Sequence, residues 1–140
     1  AREPFARAVL ARARAYDEAR VLINDSPALA TAVGADGVHL SSAQLWRIDR
    51  RPDFLLVAAS CHTAADLARA ADLALDFVVL GPLLPTASHP GAEGIGWRQF
   101  ARLAAVSPLP VYALGGLNAE MLDTARRNGG HGVALMRAWP

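Results

Sequence analysis

The sequence is poor in cysteine, lysine, net charge and long apolar runs, and each of these deficits excludes a class of protein. Its single cysteine, Cys61, leaves no possibility of a disulfide within the chain, which is typical of the reducing cytoplasm. All 14 basic residues are arginine and 13 residues are acidic, so the net charge is only +1, without the basic excess that is typical of nucleic-acid binding. No apolar run approaches the roughly 20 residues that cross a bilayer, and no signal peptide opens the sequence. We therefore expect a cytoplasmic protein without nucleic-acid or membrane partners.

Apolar residues are plentiful, and they predict a folded domain. Of the 140 residues, 53% are hydrophobic and 19% are charged, which excludes a disordered chain because burial can offset the entropy lost on ordering. A chain of this length buries roughly two thirds of its unfolded surface when it folds. We interpret residues 1–140 as a single domain. Because the first residues, Ala-Arg-Glu-Pro, contain no initiating methionine, we expect a longer parent protein.

Short apolar runs alternate with helical patterns along the chain. The runs are largely continuous, which is typical of parallel strands whose sheet is covered on both faces. Pro27 suits a first helical position, and Thr63 suits an N-cap with Asp66 in the first turn. The predicted strands are residues 21–23, 36–40, 54–59, 76–80, 111–114 and 132–136, and the predicted helices are residues 2–18, 27–33, 43–48, 63–71, 97–105 and 119–127.

The first predicted helix, residues 2–18, has an apolar face. Its members are Phe5, Val9, Ala13 and Tyr16. Helices of globular proteins turn such a face toward the core, so we expect these four side chains to be buried.

Six strands separated by helices indicate an α/β fold with a parallel βα repeat. Residues 129–133 (Gly-Gly-His-Gly-Val) are similar in sequence to residues 34–38 (Gly-Ala-Asp-Gly-Val), which indicates a weak repeat. A doubly wound open sheet and a TIM-type barrel both fit this order. No Gly-x-Gly-x-x-Gly follows the first strand, which disfavours a dinucleotide-binding sheet. Since a complete barrel needs eight strands and about 200 residues, we expect a TIM-barrel type truncated to six of eight βα units.

Polar residues and glycines follow most of the predicted strands. In parallel α/β folds the chemistry gathers at the carboxyl ends of the strands. Asp36, Asp53 and Asp76 instead precede their strands, and we interpret them as solvated or capping residues of the opposite rim. The strand exits carry Asn24-Asp25, His39-Leu40-Ser41-Ser42, Ser60-Cys61-His62, Gly81-Pro82, Gly115-Gly116 and Arg137. This concentration predicts a site at the carboxyl-terminal rim.

Two of these exits have a structural alternative. Gly115-Gly116 would bring backbone N–H groups close to a phosphate, or it would simply form a tight turn. Asn24-Asp25 offers oxygen ligands to magnesium, or it caps the following helix. The residues alone favour capping for Asn24-Asp25 and do not decide between the two interpretations of Gly115-Gly116.

The exits with histidine or cysteine predict less chemistry. His39 stands between two apolar residues, and we interpret it as a satisfied core histidine. Cys61 and His62 are neighbours on a strand and point to opposite faces, so a nucleophile–base pair is disfavoured. Cys61 is expected to be a small buried side chain.

The loop of residues 81–91 is the longest interruption between strands. Such loops in compact domains are usually functional or disordered. Thr86, Ser88 and His89 give it two hydroxyls and an imidazole, which predict an anion-binding segment that closes over phosphates. The alternative is a flexible surface loop.

Five segments of the chain follow one another in a specific order. They are Ile23-Asn24-Asp25, residues 34–40 (Gly-Ala-Asp-Gly-Val-His-Leu), Ser60-Cys61-His62-Thr63, residues 81–86 (Gly-Pro-Leu-Leu-Pro-Thr) and residues 113–117 (Ala-Leu-Gly-Gly-Leu). In this order they resemble the thiamine-phosphate synthases, from about Val21 to Met136. The resemblance implies a TIM barrel and a transferase that joins an aminopyrimidine diphosphate to a thiazole phosphate, with release of pyrophosphate.

The resemblance also implies a role for each motif residue. Asn24 and Asp25 would contact the diphosphate and its Mg²⁺, and Ser60 would lie beside the reacting pyrimidine. The thiazole phosphate would be bound by the side chains of Thr86, Ser88 and His89, the backbone of Gly116, and Arg137. Of these residues, Ser60 and His89 are the catalytic candidates.

Several positions depart from the family pattern. Gln44 stands where the family has its second acidic magnesium ligand, and an amide oxygen is a weaker ligand than a carboxylate. His89 replaces a lysine, and Arg137 replaces a serine and is expected to restore a phosphate-binding charge. The related thiazole tautomerases have a catalytic histidine where Pro82 stands here, which disfavours that activity.

The family's first two strands, with their Gln-Leu-Arg-Glu-Lys-type diphosphate clamp, have no counterpart in these residues. Some relatives with a similar Pro-Thr-x-Ser-His-Pro-Gly loop follow an amino-terminal Nudix hydrolase domain. We therefore expect the carboxyl-terminal part of such a fusion, with little catalysis by these residues alone. The alternatives are a non-catalytic phosphate-ligand-binding domain beside the Nudix hydrolase, and a different phosphate-handling barrel. Outer strands without neighbours predict either a homo-oligomer or closure of a smaller barrel.

Overall fold

The computed structural model describes residues 1–87, 90–91 and 93–137, and its strands form one sheet. The strands are β1 (Leu22–Asn24), β2 (Gly37–Leu40), β3 (Leu56–Cys61), β4 (Phe77–Leu80), β5 (Val111–Leu114) and β6 (Gly132–Ala134). The helices are α1 (Arg2–Ala13), α2 (Pro27–Val33), α3 (Ser42–Arg47), α4 (Ala64–Asp72), α5 (Gly96–Val106) and α6 (Leu122–Arg127), the last preceded by a 3₁₀ turn at Ala119–Met121. This alternation confirms the predicted α/β fold.

Strands that are neighbours in the chain are also neighbours in the sheet. The order runs from β1 to β6, and every pair is parallel. This is the strand order of a TIM barrel, whereas a doubly wound sheet reverses its order at a switch point. Within the described residues β1 and β6 do not pair with each other, so the sheet is an open arc and not a smaller closed barrel.

The two faces of the sheet differ in how well they are covered. Val38, Val57 and Val78, on three adjacent strands, are completely buried in the core that the sheet forms with the helices. On the other face, His39 and Ser60 are only partly buried. Ala58 and Val79 on this second face are buried, so the face is covered in part and borders a hollow at Ser60.

Helices α2 and α4 begin where the sequence predicts. Thr63 and Asp66 form a reciprocal capping box at α4, in which the Asp66 N–H donates to Thr63 Oγ1 at 3.2 Å and the Thr63 N–H donates to Asp66 Oδ2 at 3.3 Å. At α2 the cap is Ser26, whose Oγ accepts a backbone N–H of the first turn at 3.2 Å. Asn24-Asp25 therefore does not cap this helix.

Helix α1 differs from its prediction in length and in orientation. It ends at Ala13 instead of residue 18, and its buried side chains are Ala6 and Leu10. The predicted apolar face is largely exposed, at 73% for Phe5, 37% for Val9 and 70% for Tyr16. In this orientation Arg7 donates to the Ala32 carbonyl of α2 at 2.9 Å. No helix in the described ranges is long and apolar enough to cross a membrane.

Five strands have boundaries other than those predicted: β1, β2 and β4 differ by one residue, and β3 and β6 differ by two. β3 occupies Leu56–Cys61 instead of residues 54–59, because Arg51 binds the carbonyls of Phe54 and Leu55, at 3.0 and 3.4 Å, and holds them outside the ladder. β6 ends at Ala134, two residues before the predicted end at 136. The shift of β3 does not affect the predicted site, because Ser60 still lies near the carboxyl end of this strand.

Candidate active site

The carboxyl-terminal exits of β3 to β6 surround a cavity of about 680 Å³. A volume of this order is typical of small-molecule sites. Four residues predicted for the site lie in its wall: Ser60, Thr86, Gly116 and Arg137. The cavity therefore combines a hydroxyl-bearing strand end, two loops and a cation.

Three other predicted site residues are not in this wall: Asn24 at the end of β1, Asp25 directly after it, and Gln44 in α3. Ser88 and His89 lie outside the described residues. One short bond connects Asp25 to the cavity: the backbone N–H of Ser41, a lining residue, donates to Asp25 Oδ1 at 2.6 Å. Asp25 is thus adjacent to the cavity.

The backbone of Asp25 has a conformation that residues other than glycine rarely adopt. Its φ of 51° lies in the left-handed region. Its own N–H donates to the His39 carbonyl at 3.0 Å, and Ser41 occupies one carboxylate oxygen. In the described part of the chain no donor contacts the second carboxylate oxygen. Backbone strain of this kind clusters at functional sites, and here it leaves one anionic oxygen available.

The residues predicted to hold magnesium fit this ion only together with a bound ligand. Within residues 1–87, 90–91 and 93–137, no group of three or more His, Cys, Asp or Glu side chains could hold a metal. Asp25 offers one carboxylate, and Asn24 and Gln44 carry amide oxygens. Because Mg²⁺ is commonly bound through one or two carboxylates plus substrate phosphates, this set fits an ion that arrives with a diphosphate.

His39 and Ser60 form a hydrogen-bonded pair across β2 and β3. His39 Nε2 lies 2.8 Å from Ser60 Oγ. Burial lowers the pKa of the imidazole, and the carboxylate of Asp25 partly opposes this effect. His39 is therefore a satisfied histidine, as the sequence indicated, but its partner is a residue of the cavity wall.

His62 and Cys61 face different surroundings, in agreement with the sequence analysis. His62 lines the cavity, and its Nδ1 lies 2.7 Å from the Gly81 carbonyl. Since a carbonyl only accepts, Nδ1 carries the hydrogen. Cys61 is completely buried, and burial together with the nearby Asp66 carboxylate raises the pKa of its thiol to about 12. A nucleophilic role for Cys61 is therefore disfavoured.

The loops after β4 and β5 meet through their backbones at the cavity. The Leu83 N–H donates to the Leu114 carbonyl at 2.9 Å, and the Leu84 N–H donates to the Gly115 carbonyl at 3.1 Å. Gly115 and Gly116 have φ values of 117° and 69°, so this pair forms the tight turn that was one of its two interpretations. Both glycines also line the cavity.

Four lining residues with polar side chains were not among the predicted site residues: Ser41, Ser42, His62 and Asn118. Asn118 Oδ1 is buried and has no hydrogen-bond partner among the described residues. A buried acceptor of this kind is one that a ligand or a water can satisfy. Ser41 and Asn118 stand at helix starts just after strand exits, and this position was the only signal that could have found them.

Comparison of the sequence with known proteins gives a consistent result. The family described as thiamine monophosphate synthase matches residues 1–139. A thiamine-phosphate synthase of Thermus thermophilus is 34% identical over 133 residues, which cover 93% of this chain and 64% of the relative. The thiamine biosynthesis bifunctional protein ThiM/ThiE of Symbiobacterium thermophilum is 35% identical over 125 residues, which cover 86% of this chain and 26% of the relative.

The fold has a counterpart among solved structures. The thiamine phosphate pyrophosphorylase from Pyrococcus furiosus superposes with a TM-score of 0.77 over 95% of this chain, at 24% identity. The match covers 64% of that protein. The chain therefore spans about two thirds of the length of the Thermus and Pyrococcus relatives, and the superposition shows a shared TIM-barrel-like fold.

Proposed function

This chain belongs to the thiamine monophosphate synthase family, and we propose that it acts in thiamine biosynthesis as a transferase domain. Its substrates would be an aminopyrimidine diphosphate and a thiazole phosphate, which it joins with release of pyrophosphate. The observation that carries the proposal is the convergence of Ser60, Thr86, Gly116 and Arg137 on one cavity with Asp25 beside it.

The proposed reaction forms one bond and breaks another. The thiazole nitrogen donates its lone pair to the exocyclic methylene carbon of the pyrimidine, so that a C–N bond forms. The C–O bond to the diphosphate breaks, and both electrons leave with pyrophosphate. Since no proton has to move, the protein's task is to stabilise charge on the leaving group and to hold the nitrogen in line.

The cavity residues divide into two groups in this proposal. Ser60 contacts the pyrimidine. The thiazole phosphate is bound by the Gly116 N–H, the Thr86 hydroxyl and the Arg137 guanidinium, which offers two parallel donors. Ser88 and His89 belong to the second group, and the catalytic role of His89 stays a prediction.

Mg²⁺ is the proposed cofactor. Asp25 would hold the ion through the carboxylate oxygen that Ser41 leaves unoccupied, with Asn24 and Gln44 as neutral donors. The ion supplies positive charge to the departing pyrophosphate. Because Gln44 contributes no charge, we expect magnesium affinity to depend strongly on the bound diphosphate.

A second candidate is a non-catalytic domain that binds phosphate ligands beside a Nudix hydrolase. The neutral Gln44 favours it, because a weakened metal site impairs turnover more than it impairs phosphate binding. The bifunctional Symbiobacterium relative, of which the chain covers 26%, shows that a matching segment can occur in a longer polypeptide.

Binding and turnover measured in parallel separate the two candidates. Calorimetry measures binding of the thiazole phosphate and, separately, of the pyrimidine diphosphate with Mg²⁺. An activity assay then supplies both compounds together and measures the formation of thiamine phosphate. We expect Arg137→Ala to weaken thiazole phosphate binding by about tenfold or more, and Arg98→Ala, exposed on α5, to leave it unchanged. Product supports the transferase, and saturable binding without product supports the second candidate. Failure to bind either compound contradicts both.

We extend the proposal to assembly and compartment. β1 and β6 each have one neighbour in the sheet, and unpaired strand edges promote pairing with another chain. We therefore propose a homo-oligomer that forms through these edges, in the reducing cytoplasm that suits the free Cys61. Light scattering tests the oligomer: a strict monomer whose β1 and β6 amides exchange rapidly would contradict it.

A further inference from the structure

The side chain of His62 connects the exit of β3 to the segment that follows β4, which we call the β4 segment (residues 81–87). Its Nδ1–H donates to the Gly81 carbonyl, with 2.7 Å between the nitrogen and the oxygen. The His62 backbone is held in turn, because its N–H donates to Asp66 Oδ2 at 2.8 Å. Nε2 has no hydrogen-bond partner among the described residues, so the one bond of the ring goes to Gly81.

On its other side the β4 segment is attached to the exit of β5. The Leu83 and Leu84 N–H groups donate to the Leu114 and Gly115 carbonyls, at 2.9 and 3.1 Å. Both bonds have an ordinary length for an amide and a carbonyl. The part of the cavity wall that carries Thr86 therefore follows the position of the β5 exit.

Toward β3 the attachment of the β4 segment is weaker. In the described part of the chain, one backbone bond joins the two: the Gly81 N–H donates to the Cys61 carbonyl at 3.3 Å, longer than the usual distance of about 2.9–3.0 Å. The bond from His62 to the Gly81 carbonyl is shorter, at 2.7 Å. A side chain therefore supplies the closer of the two links between the β4 segment and β3.

We infer that His62 is a positioning residue that holds the wall carrying Thr86 and Gly116 at a fixed distance from Ser60 on β3. This inference rests on the proposed function, in which Ser60 contacts the pyrimidine while Thr86 and Gly116 bind the thiazole phosphate. Because Thr86 and Gly116 lie on segments that are bonded to each other, a shift of this wall leaves each substrate its own contacts. The shift changes the distance between the two substrates instead.

The distance between the substrates matters because the thiazole nitrogen has to reach the methylene carbon in line. Reacting atoms must approach to about 3–3.5 Å, and a misplacement of about 1 Å can cost a factor of about 100 in rate. Loss of the bond from His62 should therefore lower kcat by about tenfold or more and leave the affinity for each substrate alone unchanged.

The attachment itself is measured without a ligand, by amide hydrogen exchange of the full chain. We expect His62→Ala to speed exchange of the Gly81 amide by about threefold or more, because the β4 segment can then move away from β3. The Leu83 and Leu84 amides, which are bonded to the β5 exit, should exchange as in the native chain. Unchanged exchange at Gly81 overturns the inference, whatever the kinetics give.

Two conservative variants separate the roles of the two ring nitrogens. His62→Asn places an amide N–H near the position of Nδ1, whereas the amide of His62→Gln reaches the position of Nε2. Steady-state kinetics should give a lower kcat with unchanged KM values for His62→Ala, recovery of kcat in His62→Asn and no recovery in His62→Gln. The matched control is His131→Ala, which replaces an exposed histidine at the opposite rim and should leave kcat unchanged.

A structural role or a direct contact with the ligand would give other results. Raised KM values with an unchanged kcat overturn the inference, and so does recovery in His62→Gln but not in His62→Asn, since Nε2 would then bind the ligand. Should His62→Ala fail to fold, as thermal unfolding would show, the comparison of His62→Asn with His62→Gln in exchange and in kcat decides. If the native chain forms no product, the proposed transferase fails, while exchange at Gly81 still decides whether His62 holds the β4 segment.

Discussion

The indole Nε1 of Trp46 donates a hydrogen bond of 2.8 Å to Oδ1 of Asp66 and so joins α3 to α4 on the outside of the sheet. The other oxygen of the same carboxylate accepts the N–H of His62 at 2.8 Å. His62 lines the cavity, so Asp66 connects the helical layer to the wall of the site. A buried carboxylate is tolerated only when donors satisfy it, and here Oδ1 has one donor while Oδ2 has two, the N–H groups of His62 and Thr63.

Asp66→Asn is expected to destabilise the fold by about 1–3 kcal/mol at neutral pH. Burial raises the pKa of Asp66, but hydrogen bonds from Trp46 and from the residues at the start of α4 outweigh it and hold the pKa below the ordinary 3.8. Because the folded pKa is lower than the unfolded one, this stabilisation is present above pH 3.8 and is lost as the pH falls through the folded pKa.

Urea unfolding from about pH 7 to about pH 2 measures this contribution as a free energy of unfolding. The matched control is Asp72→Asn, since Asp72 is exposed on the same helix. We expect the control to follow the acid profile of the native chain. An Asp66→Asn variant that also followed it would show that the hydrogen bonds of Asp66 contribute nothing.

Asp76→Ala is expected to cost about 2 kcal/mol of folding free energy. Asp76 Oδ2 accepts the N–H of Val57 at 2.7 Å and pairs with Arg51 at 2.8 Å, so the substitution leaves a buried N–H without a partner. Asp53 lies on the same rim but is exposed, and Asp53→Ala should change stability by less than about 0.5 kcal/mol. Denaturant unfolding of the two variants is the measurement, and equal losses would contradict the bracing role of Asp76.

Gly37→Ala is expected to destabilise the sheet far more than Gly34→Ala. A Cβ at Gly37 would lie 1.8 Å from the Leu56 carbonyl oxygen on the neighbouring strand, so β2 and β3 would have to separate. At Gly34 the φ is +70° but no atom lies within 4 Å, so only the left-handed backbone opposes a side chain. We expect about 1 kcal/mol for Gly34→Ala and more than about 3 kcal/mol for Gly37→Ala. Chemical denaturation gives both values, and the reverse order would refute the argument.

Asp25→Asn is expected to weaken the magnesium-dependent binding of the pyrimidine diphosphate by at least about tenfold without unfolding the chain. The amide oxygen of asparagine can still accept the Ser41 N–H, whereas the charge that attracts the cation is lost. Asp25→Ala should lose both the hydrogen bond from Ser41 and the charge that attracts the cation. Calorimetry with and without Mg²⁺ is the measurement. Unchanged affinity in both variants would exclude Asp25 as a metal ligand.

Features that depend on a few adjacent residues were predictable from the sequence. The capping box at α4 follows from the spacing of Thr63 and Asp66. The orientation of α1 was not predictable, because it depends on packing against a distant part of the chain: Ala6 and Leu10 are the buried residues of α1, and α1 contacts α2. The apolar face of α1 was therefore assigned to the wrong side.

The same distinction applies to the candidate site. Ser60, Gly116 and Arg137 could be placed together because parallel strands end at the same edge of a sheet. The partner of His39 could not be predicted, because it depends on register: His39 pairs with Ala58, which places Ser60 one step further along the same face. Their functional roles remain predictions.

The backbone contact between the loops after β4 and β5 has a mechanical consequence. A side chain at Gly81 would lie 2.0 Å from the Leu114 carbonyl oxygen, and one at Gly115 would lie 2.7 Å from the Leu83 nitrogen. The two segments are in direct backbone contact, so neither can shift without displacing the other. An anion that draws the Gly116 amide inward would move the Thr86 segment with it, so the two donors proposed for the same phosphate would approach it together.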